Sequence, residues 1–108
     1  MQPKQNKPTL TPDILRRELE VTLKQFGASP EIHFGFPNPQ SPAWKLVAEF
    51  THPVGMGTVS VWQSAGCCDI DFLPEGSRDG LALHGEFDDD DALLEFVKSS
   101  LVSLQIHP

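Results

Sequence analysis

The chain of 108 residues is poor in positive charge, in cysteine and in long apolar runs. Lys and Arg total 8 against 15 Asp and Glu, a formal net charge of -7, and the pI is about 4.8. A field of that sign repels polyphosphates and anionic lipid, so it argues against direct nucleic-acid binding and against membrane-surface binding. It also draws in a basic partner. No stretch approaches the roughly 18 consecutive apolar residues of a membrane span. The opening residues, MQPKQNKP, carry lysines with no apolar run behind them, so no secretory signal is expected and the cytoplasm is the expected location. The two cysteines, Cys67 and Cys68, are neighbours. Closing a disulfide between adjacent residues strains a small ring, and along a strand the two side chains point to opposite faces. They read as free thiols, Cys68 toward a core and Cys67 toward the open side. Asp69 and Asp71 nearby raise a thiol pKa, which counts against a redox switch.

Motifs that carry chemistry are missing as well. HExxH, CxxC and a nucleophile elbow are absent, and Gly55-Met56-Gly57 lacks the third glycine, the lysine and the helix of a phosphate loop. Of four histidines, His107 lies in the tail and His52 precedes a proline turn. His33 and His84 fall on outward strand positions, within reach of Asp69 or Asp71 across a sheet. That is the one arrangement from which a metal or acid–base cluster could be built, and scattered strand histidines are ordinarily surface groups. The expectation is a protein that is not an enzyme and needs no cofactor or metal.

What the chain does contain suits an ordinary globular protein: 39% hydrophobic and 21% charged residues, in a length that buries a core without metals or disulfides. Residues 1–10, with Pro3 and Pro8, read as a flexible tail, and 11–108 as a single domain. Thr11-Pro12-Asp13 opens a helix with a hydroxyl cap, a first-turn proline and an acid at the positive dipole end. Leu15, Leu19, Leu23 and Phe26 form its apolar stripe, with Ile14 and Thr22 flanking, and Gly27 is its stop. After Pro30, Glu31–Phe36 alternates, with Ile32, Phe34 and Phe36 inward. Pro37, Pro39 and Pro42 make 37–42 a loop. From Trp44 to Thr51 the inward set is Trp44, Leu46, Ala48 and Phe50. Residues 52–57 read as a turn and 74–80 as a second loop. Leu81–Phe87 is a last strand with Leu83, Gly85 and Phe87 inward. Asp88 to Asp91 resembles a metal site, yet it stands directly before a helical stripe of Leu93, Leu94, Val97, Leu101 and Leu104 that ends near Gln105. Asp88 therefore reads as the helix cap and the other three as charges on its positive end.

The resulting order is α-β-β-β-β-β-α. Short sequential strands favour an antiparallel five-stranded meander, and two amphipathic terminal helices can cover one of its faces, an α+β fold. The chain is organised around Gly57–Phe72. There Val59 and Val61 oppose Thr58, Ser60 and Trp62 on one arm, and Cys68, Ile70 and Phe72 oppose Asp69 and Asp71 on the other. The arms join at Ser64-Ala65-Gly66, with glycine supplying the positive φ of a tight turn. The face away from the helices then carries Lys45, Val47, Glu49, Thr58, Ser60 and Trp62 from two strands. Asp69, Asp71, His84 and Glu86 come from the next two. An aromatic anchor among polar and acidic groups is the composition of a protein-binding surface. Trp62 is expected at its centre, Asp69 and Asp71 at a wet rim, and Thr58, Ser60, Glu49, His84 and Glu86 around them.

The run Val59-Ser60-Val61-Trp62-Gln63-Ser64-Ala65-Gly66-Cys67-Cys68-Asp69-Ile70-Asp71 resembles the hairpin of the TriTu-type bacterial immunity proteins of polymorphic toxin systems. The likeness extends in outline to the leading helix and to a late strand with Glu86 before an acidic-capped helix. It departs at Ala65-Gly66 and the doubled cysteine, one residue more in or beside the turn. The resemblance implies an immunity protein that neutralises a cognate toxin domain. Many such domains are basic nucleases, which an acidic inhibitor would meet quickly through steering. Two other readings stand beside it: a small adaptor or chaperone-like protein that recruits an apolar segment of a secreted effector, and a small metal-dependent enzyme. A homodimer is also compatible with the chain.

Overall fold

The computed structural model describes residues 12–35, 45–62, 66–104 and 106. Helix α1 spans Pro12–Gln25, and strands β1 to β5 span Ser29–Gly35, Lys45–His52, Gly55–Trp62, Cys67–Pro74 and Leu81–Glu86, before helix α2 at Asp90–Ser103. The expected tail, Thr11, Phe36, the 37–42 loop, Trp44 and Ser64-Ala65 lie outside the described residues, as does the side chain of Phe34.

Each helix is closed by backbone groups. At the end of α1, Gly27 N–H donates to the Lys24 carbonyl at 3.0 Å and Ala28 N–H to the Leu23 carbonyl at 2.9 Å, the paired bonds of a Schellman stop. The α2 cap is Asp89, not the expected Asp88: its Oδ1 accepts from Ala92 N–H at 2.8 Å. The side chain that caps is the one whose backbone is extended, at φ -148 and ψ 166, and aims back at the first turn. At the other end Ile106 N–H bonds the Leu101 carbonyl at 2.9 Å, and both side chains are fully buried. This adds Ile106 to the core, beyond the helical stripe.

Two strands are longer than their sequence suggests. β1 begins at Ser29 and takes in Pro30. An edge strand permits this, because a missing N–H can face outward there. β3 begins at Gly55, paired with His52, so the expected turn over 52–57 shrinks to Pro53-Val54. His52 Nδ1 accepts from Val54 N–H at 3.1 Å and stiffens that turn.

The sheet is an antiparallel meander in the order β1-β2-β3-β4-β5. Its registers align the core positions in rows: Ile32, Ala48, Val59, Ile70 and Leu83 in one, and Leu46, Val61, Cys68 and Gly85 in the next. Leu15, Leu19 and Leu23 of α1 and Leu93, Val97 and Leu101 of α2 join the same buried cluster. Both helices therefore cover one face, α1 over β1 and β2, α2 over β4 and β5, with the two touching. Gly57 lies between Phe50 and Phe72, whose rings stack at 6.2 Å. A Cβ on Gly57 would stand 2.6 Å from Phe50 Cζ and 2.6 Å from the Asp71 carbonyl, so the rings close over a position only glycine can fill. Among the described residues no helix is long and apolar enough to cross a membrane.

Candidate functional site

Strand alternation puts every second residue on the uncovered face, and register sets these residues in rows across the sheet. The row beside the β3–β4 turn runs Lys45, Trp62, Cys67 and Glu86. The next runs His33, Val47, Ser60, Asp69 and His84, and a third runs Glu31, Glu49, Thr58, Asp71 and Ala82. A fourth, at the opposite end, runs Ser29, Thr51, Met56 and Leu73. All eight expected site residues, Glu49, Thr58, Ser60, Trp62, Asp69, Asp71, His84 and Glu86, share this face, but they fall in three different rows.

Their exposure separates them. Ser60 is only 7% exposed between Val47 and Asp69, so it is a packing position within the surface and offers a partner little. Trp62 is half-buried, and the Lys45 ammonium lies 4.6 Å from its ring centroid. That cation–π contact occupies the face a partner's cation would want. Gly66 takes the expected positive φ, 62°, and its carbonyl accepts from Phe87 N–H at 2.9 Å, tying the turn to the end of β5.

The two histidines do not converge. They sit in one row but on the two edge strands, separated by β2, β3 and β4. His84 Nδ1 is hydrogen-bonded to Asp69 Oδ1, which raises the histidine pKa above its ordinary value. Partial desolvation opposes that rise, and the charges of Asp69 and Glu86 add to it. His33 Nε2 lies 3.5 Å from Glu31 and 3.9 Å from Glu49. Those three residues bring ligand atoms within 4.8 Å of one another and could hold a divalent cation, though all three are exposed. A histidine set between two carboxylates as ion-pair partners has the same spacing. Asp71 belongs to neither cluster. Cys67 and Cys68 are free, outward and inward as expected. Burial, then Asp69, pushes the Cys68 thiol up to about 12. Cys67 is raised by desolvation first and by Asp69 and Glu86 after it.

The electrostatics of this face are one-sided. Glu31, Glu49, Asp69, Asp71 and Glu86 all project from it, and Lys45 is the only Lys or Arg on any of the five strands. Glu31 and Glu49 are direct cross-strand partners, an opposition of like charges that costs stability.

A groove of about 900 Å³ crosses the same face at the end away from Trp62. One wall is the row of Glu31, Glu49, Thr58, Asp71 and Ala82, and the other is Ser29, Thr51, Met56, Leu73 and Gly80. Between the rows, Phe50 and Phe72 send their side chains to the helix layer and Gly57 has none, which leaves backbone as the floor. Of the expected site residues only Glu49, Thr58 and Asp71 line it. Glu31, Met56, Leu73 and Ala82 were missed. The signal for Met56 was present, since it shares the parity of Thr58, but reading 52–57 as a turn concealed it.

Comparison of the chain with protein-family models, with curated proteins and with solved structures finds no match.

Proposed function

We propose that this protein is an inhibitor of the immunity type, which holds a basic toxin domain against its open sheet face in the cytoplasm. The observation that carries the reading is the five-carboxylate face with its single lysine, displayed on a sheet whose other side is sealed by helices. Such a face steers a basic protein and repels nucleic acid and anionic membrane. Its acidic groups around a half-buried tryptophan are the composition of a surface that binds a protein. The hairpin resemblance supplies the partner class, a toxin domain, with a basic nuclease as the expected kind.

An immunity gene should directly follow a large toxin gene, so the test is binding kinetics against the C-terminal domain of the toxin expected there, at low and high salt. Tight binding whose association rate falls with salt supports the reading. No binding to that domain, or a salt-independent rate, removes it. The adaptor reading is favoured by one feature, the exposed apolar side chains of Met56 and Leu73 at one end of the face. An adaptor would bind an apolar effector segment with little salt dependence.

A further inference from the structure

The groove differs in chemistry from wall to wall. Glu31, Glu49 and Asp71 stand along one side, and Met56 and Leu73, 56% and 39% exposed, along the other. Rows of one face lie two residues apart along each strand, about 7 Å. That is narrower than an α-helix with its side chains, about 10 Å across, and it suits a single extended chain. Five strands are separated by four gaps of about 4.8 Å, a run of roughly 19 Å and the reach of about six extended residues. Beyond the Met56–Leu73 wall, Glu75 N–H donates to the Val54 carbonyl at 2.8 Å and ties the β2–β3 turn to the β4–β5 loop.

We infer that the groove seats an extended segment of the protein partner in which Arg or Lys alternates with a residue of Leu or Val size. An extended chain sends successive side chains to opposite sides, so one set meets the carboxylates while the other covers Met56 and Leu73. Charge complementarity selects this occupant. A wholly apolar segment would desolvate three carboxylates and bring no positive charge to them, leaving one histidine, His33, beside Glu31 and Glu49. A second copy of this face would bring like charge against like. That the segment belongs to a toxin domain rests on the function proposed above; the alternation does not.

The experiment uses the full chain, labelled with 15N, titrated with the capped peptides (Arg-Leu)3, (Arg-Ser)3 and (Glu-Leu)3. The expected result is saturable binding of (Arg-Leu)3, with amide shifts at Glu49, Met56, Thr58, Asp71 and Leu73. (Arg-Ser)3 should bind several-fold more weakly and (Glu-Leu)3 not at all. Glu49→Gln/Asp71→Asn should lose about tenfold in affinity, and Met56→Ser/Leu73→Ser should erase the preference for leucine. These side chains are exposed, and the spectrum itself reports whether each variant is folded. Absence of saturable binding, equal binding of (Arg-Ser)3, or shifts confined to Lys45, Trp62 and Glu86 would each overturn the inference. The toxin-domain assay with the same double variants separates the two proposals. Toxin binding that ignores them sinks the groove alone, and a peptide-binding groove with no toxin binding sinks the toxin partner alone.

Discussion

The two faces of the one sheet are built from alternate residues of the same strands, and they obey different rules. On the helix side Val59 and Ile70 are fully buried in one cluster with Leu19, Leu93 and Val97. Among the described residues no buried side-chain polar atom lacks a partner. On the other side Glu31 is set against Glu49, Met56 and Leu73 stand in water, and one lysine answers five carboxylates. A surface that served solubility alone would intersperse the two signs. The helix side is therefore arranged for stability, and the open side carries a field and a groove at some cost to it.

The largest expected effect lies on the covered side. Ile70→Ala and Leu101→Ala each leave a void among fully buried neighbours and should cost about 2–5 kcal/mol in urea unfolding. An unchanged midpoint in both would break the distinction between the faces. Gly57→Ala tests the Phe50–Phe72 closure. Its new methyl would meet a backbone carbonyl as well as a ring tip, and the expected cost is about 1–3 kcal/mol.

Trp62→Ala carries the comparison across to the open face. It should weaken toxin-domain binding by about 2 kcal/mol, mainly through faster dissociation, if the indole is an anchor. Lys45 must leave the ring for that to happen, so Lys45→Ala should tighten binding while Trp62→Ala weakens it. If both variants bind as the wild type does, the contact is confined to the groove end. Glu49→Gln sharpens the contrast further. Relief of the opposition to Glu31 should leave stability at or slightly above wild type, within about 0.5 kcal/mol, while association with a basic partner slows. A marked loss of stability would show that the carboxylate is structural.

The smallest effect is the titration of His84. Its folded pKa is raised above the ordinary value of about 6.5 by Asp69. The stabilisation from that pair is therefore complete below the unfolded pKa and is lost as pH rises through the folded one. NMR titration should find the raised value in the wild type and a return toward 6.5 in Asp69→Asn. An unshifted His84 in the wild type would remove the pair.

The sequence by itself determined the element order, the meander, the helix stripes and the parity of nearly every strand residue. These depend on periods of 3.6 and 2, which are local, and on the right alternation surviving from one strand to the next. Gly27 as a stop and Cys68 as a core residue were legible for the same reason. The boundaries at Ser29 and Gly55 and the cap at Asp89 were not. Pro30 is admitted only because β1 is an edge, and among consecutive aspartates only the backbone conformation decides which one turns back. Tertiary structure alone decided which outward residues meet. Register brought Glu31 opposite Glu49, gave Asp69 to His84 while holding His33 on the far edge, laid Lys45 over Trp62, and sank Ser60 between its neighbours. It also opened the groove beside Met56 and Leu73. Alternation fixes the side a residue takes; pairing between distant strands fixes its neighbours, and a site is made of neighbours.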